Sequence, residues 1–187
     1  LSDVSILKSL PQREIISGYG EILKHAIILD KSFFLFLLKN GKKIINERNN
    51  FLLKEAIIKS CKIKCAIVNK DEKENDLRMI LNFGHTFAHA FEATKKFTKK
   101  LNHGEAVLLG MMIASELSYK KNRLPYKDLI LIKKHYFNLK LPMLISKIFK
   151  KSDIKKIIYF MKKDKKNFNE KINLILLNRI GNTTKPK

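Results

Sequence analysis

The chain has 187 residues, 45% hydrophobic and 30% charged, which suits one large domain or two small ones with a real core and argues against disorder. It contains no run of about 18 apolar residues to span a bilayer, and nothing in it reads as a secretory signal. Its formal net charge of +22 is compatible with nucleic acid, an anionic membrane or an anionic small substrate as partner. Lys is enriched together with Asn, Ile and Phe while Trp is absent, and drift toward A/T-rich codons produces that pattern without selection for binding.

The predicted elements are mainly helical. "REIISGYGEILKHAIILDKSFFLFLLKNG" carries apolar residues at helical spacing from Ile22 onward and predicts one or two helices ending near Asn40-Gly41. "NNFLLKEAIIKSCKIKCAIVNKDE" predicts another, with Asn49 or Asn50 as its cap. "LRMILNFGHTFAHAFEATKKF" predicts a third, interrupted at Gly84. "HGEAVLLGMMIASELSYKKN", rich in small and apolar residues, predicts a helix buried on most sides. "YKDLILIKKHYFNL" and "SDIKKIIYFMKKDKK" add two amphipathic candidates, and "KINLILLNRIG" reads as a strand ending at Gly181. There is no alternation of strand and helix, no internal repeat, no P-loop and no G-x-G-x-x-G.

Cys61 and Cys65 lie four apart. On a helix they are poorly placed for a disulfide; without a second pair they make no zinc ribbon, and they fit a reducing compartment. His85 and His89 share one helical face, a turn apart. That spacing suits two metal ligands, or a ligand beside a histidine that handles a proton or an anion. It also suits two half-buried, hydrogen-bonded core rings. His103, in "LNHGEA", adds weight to the metal reading. Glu21 in "GYGEILKHA" is the candidate carboxylate ligand, with Lys24 on the same face. An exposed pair of that spacing is worth only a few tenths of a kcal/mol, but two preceding glycines and a following apolar run point to a buried helix start. Arg78 and Asn82, four apart, precede His85, and a guanidinium suits a carboxylate or phosphate. Spacing alone does not separate Lys64 from Lys62.

Four segments occur here in one order: "LPQREIISGYGEILKHAIILD", "KCAIVNKDEKENDLRMILNFGHTFAHAFE", "LNHGEAVLLGMM" and "MKKDKKNFNEKINLILLNRIG". Together they resemble the C-terminal domain of the 3-dehydroquinate synthases, from Leu10 to Gly181, most weakly between Asn122 and Lys156. The resemblance implies a mainly α, multi-helical metal- and substrate-binding domain over residues 10–187, with a small β element near its end. Residues 1–9 would be the edge of an NAD-binding domain, and Ile6, Leu7, Lys8 and Ser9 its last cofactor contacts. A Rossmann-like domain is expected before Leu1, and a chain opening on Leu rather than Met is expected to be a fragment or processed product, inactive alone.

The family implies zinc, or cobalt, held by Glu21, His85 and His103, with His89 on the substrate rather than on the metal. It implies NAD as a recycled cofactor for converting 3-deoxy-D-arabino-heptulosonate 7-phosphate (DAHP) to 3-dehydroquinate and phosphate, in the shikimate pathway. Lys24, Lys64, Arg78, Asn82, His89 and Lys165 match the substrate-binding positions, Lys165 being preferred to Lys166. A cytoplasmic homodimer with no membrane or nucleic-acid partner is expected. "GHTFAHAFE" keeps the second histidine, around which sibling sugar-phosphate cyclases depart from the pattern. Lysines scattered over all segments, without an aromatic platform, argue against a nucleic-acid module.

Overall fold

A computed structural model describes residues 3–163 and 172–184. Seven helices dominate them: α1 (Gln12–Leu29), α2 (Lys31–Ile45), α3 (Asn50–Lys70), α4 (His85–Thr94), α5 (His103–Lys120), α6 (Tyr126–Leu139) and α7 (Ile154–Lys162). A short antiparallel hairpin, β1 (Leu177–Arg179) and β2 (Asn182–Thr183), follows. The mainly helical expectation with a small β element near the C-terminus holds. No helix among the described residues is long and apolar enough to cross a membrane.

α5 is the central helix. Gly104, the run Ala106–Met112 and Ala114, Ser115 and Ser118 are all buried, so most of its circumference faces protein, as a segment apolar on all sides requires. Asn102 caps it: its side chain accepts from Glu105 N at 2.9 Å, and Glu105 Oε2 accepts from Asn102 N at 3.0 Å. That reciprocal pair fixes where the helix begins. α1 and α4 both pack on α5, and the second half of α1 is buried nearly all round, from Leu23 to Ile28. Each fully buried Leu, Ile or Phe contributes about 1.5–3 kcal/mol relative to exposure.

Asn49 caps α3, accepting from Leu52 N at 3.1 Å. α2 does not stop at Asn40-Gly41; it continues to Ile45. A Cβ on Gly41 would lie 2.8 Å from Leu139 Cδ1 and 3.2 Å from His135 Cε1, so this glycine admits α6 rather than ending a helix. The predicted third helix does divide at Gly84, but its first part, Leu77–Asn82, is a 3-10 segment. The predicted strand is also shorter than its apolar run: only Leu177–Arg179 pairs. The hairpin is pinned to three helices, through Gly181 N to Ile27 O at 2.7 Å, Ile180 N to Asp128 Oδ2 at 2.9 Å and Leu177 N to Ser118 Oγ at 2.9 Å.

Candidate metal centre

Three helices deliver one carboxylate and two imidazoles to the same point. Glu21 projects from the middle of α1, while His85 and His103 are the first residues of α4 and α5. One donor atom from each lies within 4.8 Å of the others. Among the described residues this is the one such gathering of three or more His, Cys, Asp or Glu donors. Gly84, at φ 81°, turns the chain sharply into α4, and a Cβ there would lie 2.7 Å from Met111 N. The turn therefore both needs glycine and presses the start of α4 against α5.

The donor set fits a divalent cation. Glu21 Oε2 accepts from Lys24 Nζ at 2.6 Å, but Oε1 is buried without a hydrogen-bond partner. Oε1 lies 3.6 Å from His85 Nε2, too far for a hydrogen bond. His85 Nδ1 lies 3.4 Å from the Phe83 carbonyl, which can only accept, so the proton belongs on Nδ1 and a lone pair on Nε2. Burial, then the Lys24 charge, pushes His85 down to about 3, with Glu21 opposing; the ring is neutral at physiological pH. A neutral nitrogen and an orphaned carboxylate oxygen thus face each other across a gap, which a cation would satisfy. Burial raises Glu21, but the charge and hydrogen bond of Lys24, with His85 and His25, hold it below the usual carboxylate value.

Of the other predicted residues, Lys24 is 3% exposed and joined to Glu21. The His89 ring stands edge-on to His85, centroids 5.7 Å apart, beside the three donors and not among them; the spacing-only option of a His85–His89 ligand pair is not what the fold gathers. Lys64 is exposed on α3, and its charge helps to depress His25, which sets it apart from Lys62. Arg78 Nη1 donates to Glu72 O at 2.6 Å and Asn82 Nδ2 to Glu74 Oε1 at 2.6 Å. Because their segment is 3-10 rather than α, residues four apart there point about 120° apart and do not share a face. Asp71 shapes the preceding loop, accepting from the backbone N–H of Asn75, Asp76 and Arg78 at 2.9–3.0 Å.

Ile6, Leu7, Lys8 and Ser9 form part of a 3-10 turn, Val4–Ser9. Ile6 is 67% exposed, and the Lys8 carbonyl accepts from Arg48. Leu7 lines an apolar cavity of about 300 Å³ with Leu10, Ile15, Tyr19 and Leu53. Gln12, where α1 begins, is about 14 Å of helix from Glu21. Lys165 and Lys166 lie outside the described residues.

Two neighbours escaped the sequence reading. His25 is buried with Nδ1 2.7 Å from Ser60 Oγ; burial first, then Lys24 and Lys64, pushes it down to about 4 against the pull of Glu21. The only sequence signal was its place beside Lys24. Glu92, three residues after His89, has its two oxygens 3.2 and 3.3 Å from His103 Nδ1.

A profile of the 3-dehydroquinate synthase C-terminal domain matches residues 18–167. A 3-dehydroquinate synthase of Pelagibacter ubique (strain HTCC1062) is 54% identical over 97% of this chain and 49% of its own length. The chain spans about half the length of the curated relatives it matches. In fold it is similar to 2-epi-5-epi-valiolone synthase from Streptomyces hygroscopicus subsp. jinggangensis 5008, solved with NAD⁺ and Zn²⁺ bound. That match has a TM-score of 0.85 at 23% identity and covers 97% of this chain and 49% of the other. A 2-deoxy-scyllo-inosose synthase, solved with carbaglucose-6-phosphate, NAD⁺ and Co²⁺, superposes with a TM-score of 0.72 at 26% identity, over the same two shares. With that profile spanning the α1, α4 and α5 segments that carry Glu21, His85 and His103, the chain belongs to the 3-dehydroquinate synthase family, as its C-terminal domain.

Proposed function

We propose that this chain is the metal- and substrate-binding half of a 3-dehydroquinate synthase, a lyase that converts DAHP to 3-dehydroquinate and inorganic phosphate with NAD⁺ as a recycled cofactor. The observation that carries the site is the buried, unpartnered Glu21 Oε1, 3.6 Å from His85 Nε2. Glu21, His85 and His103 would hold the metal, zinc or cobalt, leaving a coordination position open to substrate hydroxyls. When bound, such a metal acidifies the hydroxyl that is oxidised and stabilises its oxyanion.

The chain's own side chains do the rest. Lys24, already against Glu21, brings a cation to the edge of the metal site. Arg78 and Lys64 bind the substrate carboxylate; Asn82, His89 and Lys165 bind the phosphate. His89 stands beside His85, where it can receive or return a proton as phosphate leaves. The Glu72 and Glu74 contacts of Arg78 and Asn82 are exchanged for substrate oxygens when substrate binds. In the same reading residues 1–9 are the edge of an NAD-binding domain supplied by the other half of the enzyme, and the whole works in the cytoplasm as a homodimer, without a membrane or nucleic-acid partner.

Two measurements test this. Elemental analysis of the purified chain should find close to one zinc per chain, mostly lost in His103→Ala; retention by the variant would move the ligands elsewhere. Calorimetric titration of the zinc-loaded protein should show DAHP binding at least about tenfold tighter than glucose 6-phosphate, which lacks the carboxylate, with the preference lost in Arg78→Ala. Equal binding of the two would assign the chain to a sibling cyclase.

A further inference from the structure

We propose that Glu92 is the positioning residue for His103: its carboxylate keeps the imidazole proton on Nδ1 and turns Nε2 toward Glu21 and His85. The inference rests on the metal-site reading above and deepens it. His103 needs such an anchor. Its side chain is 51% exposed, against 14% for both His85 and Glu92, so packing does little to hold the ring. Glu92 approaches Nδ1 almost symmetrically, at 3.2 and 3.3 Å. A carboxylate only accepts, so Nδ1 carries the proton, which in the neutral ring that can ligate a metal leaves the lone pair on Nε2.

The same device appears twice in one site. His85, mostly buried, spends its Nδ1 proton on the neutral Phe83 carbonyl; His103, half in solvent, spends its own on a charged acceptor. Water competes for the exposed ring, and a charge-assisted bond resists that competition better than a neutral one. Fixing the far nitrogen of a ligating histidine by an acceptor also raises its donor strength.

Placement on α4 explains how one helix does this. His85, His89 and Glu92 are spaced by four and three residues, which at about 100° per residue puts all three on one stripe. α4 packs on α5, whose first residue is His103. The segment "HTFAHAFE" therefore lays a ligand, its neighbour and the second ligand's anchor along a single face. Charge points the same way. Two neutral imidazoles and Glu21, itself shared with Lys24 at 2.6 Å, leave a dication under-neutralised, and Glu92 supplies the second negative charge.

The test uses the whole chain, with zinc itself as the probe in competition with a chelator. Glu92→Ala should weaken zinc binding by about 10–100-fold, and Glu92→Gln, isosteric but uncharged, by less; both should keep the parent's far-UV circular dichroism. In a His103→Ala background, Glu92→Ala should have no further effect. A metal-free readout separates this proposal from the reading beneath it: ¹⁵N spectra of the zinc-free protein at pH 8 should show His103 as the Nδ1–H tautomer, and as the other or a mixture in Glu92→Ala. Glu92→Ala binding zinc within twofold of the parent with the tautomer unchanged overturns the role of Glu92 and leaves the metal site standing. An equal loss in the His103→Ala background also overturns it. Zinc retained by His103→Ala at parental affinity overturns the metal-site reading instead.

Discussion

The Tyr19 hydroxyl lies 2.8 Å from His135 Nε2, with both residues almost completely buried where α1 meets α6. The His135 ring also meets the edge of Phe34, centroids 5.7 Å apart, and reaches within 3.2 Å of where a Gly41 side chain would begin. No carboxylate is among these contacts, and burial pushes His135 from its ordinary 6.5 down to about 4.

Stability should therefore depend on pH in a defined window. His135 takes up its proton near 6.5 when unfolded and near 4 when folded, so the unfolded chain binds more protons between those values. The contribution of the neutral ring is fully present above about pH 6.5 and is lost as pH falls toward 4, at most about 3 kcal/mol. Urea midpoints of the parent should fall across that range. His135→Gln should be less stable at pH 7.5 but should lose less between pH 6.5 and 4. Parallel curves for the two proteins would show that the acid sensitivity comes from elsewhere, His25 being the next group to replace.

Gly84→Ala should damage the fold and the site together. At φ 81°, with Met111 N 2.7 Å and Met111 Cγ 2.8 Å from the new Cβ, an alanine is strained in the turn and collides with α5 backbone. About 2–4 kcal/mol of lost stability is expected, together with displacement of His85, the next residue. Thermal unfolding and zinc content should both fall. A variant that loses stability but keeps full zinc would mean that His85 is held by its packing on α5 rather than by the turn.

The helices were legible because their apolar faces are written locally: the Asn49 cap, the break at Gly84 and the all-round apolar α5 can each be read within a few residues. Gly41 misled because a glycine after Asn is an ordinary helix stop, and only the approach of Leu139 and His135 from α6, nearly a hundred residues away, reveals its other use. The candidate metal triad was legible as a set through resemblance rather than spacing. Spacing left His85 with His89 open as one option beside the candidates His103 and Glu21, and the convergence of α1, α4 and α5 that brings Glu21, His85 and His103 together is a tertiary fact. Glu92 sat at a visible helical spacing from His89, but nothing local says that a carboxylate there will reach the first residue of the next helix. Arg78 and Asn82 were legible only as residues four apart within the predicted third helix, and the 3-10 winding of Leu77–Asn82 points them in different directions.

Lys24→Met should destabilise the zinc-free protein and be rescued by metal. The substitution keeps the buried stem and removes the ammonium 2.6 Å from Glu21 Oε2, leaving a half-buried carboxylate without that partner. Losing one member of such a pair costs on the order of 1–3 kcal/mol when the other stays partly solvated. A bound dication would take over the role of the ammonium, so zinc should raise the melting temperature of Lys24→Met by more than that of the parent. Equal zinc-induced shifts would argue that Glu21 does not meet the metal.

Arg13→Ala should loosen the start of α5 without touching a ligand. The guanidinium makes two parallel bonds to Glu105, Nε to Oε1 at 2.6 Å and Nη2 to Oε2 at 2.5 Å, and a third to Lys99 O at 2.7 Å. Glu105 is also the reciprocal partner of Asn102 in the cap that sets the first turn of α5, and His103 lies between them. Arg13 is 41% exposed, so solvent screens the pair and the loss of stability should be about 1 kcal/mol, reduced further in high salt. Because the contact braces the cap, zinc should bind more weakly, by a few-fold and less than in Glu92→Ala. The check is to compare melting temperature and chelator-competed zinc affinity at 0.05 and 0.5 M salt. If affinity falls while the melting temperature holds, Arg13 acts on the site through the cap; if the melting temperature falls while affinity holds, it only ties α1 to α5.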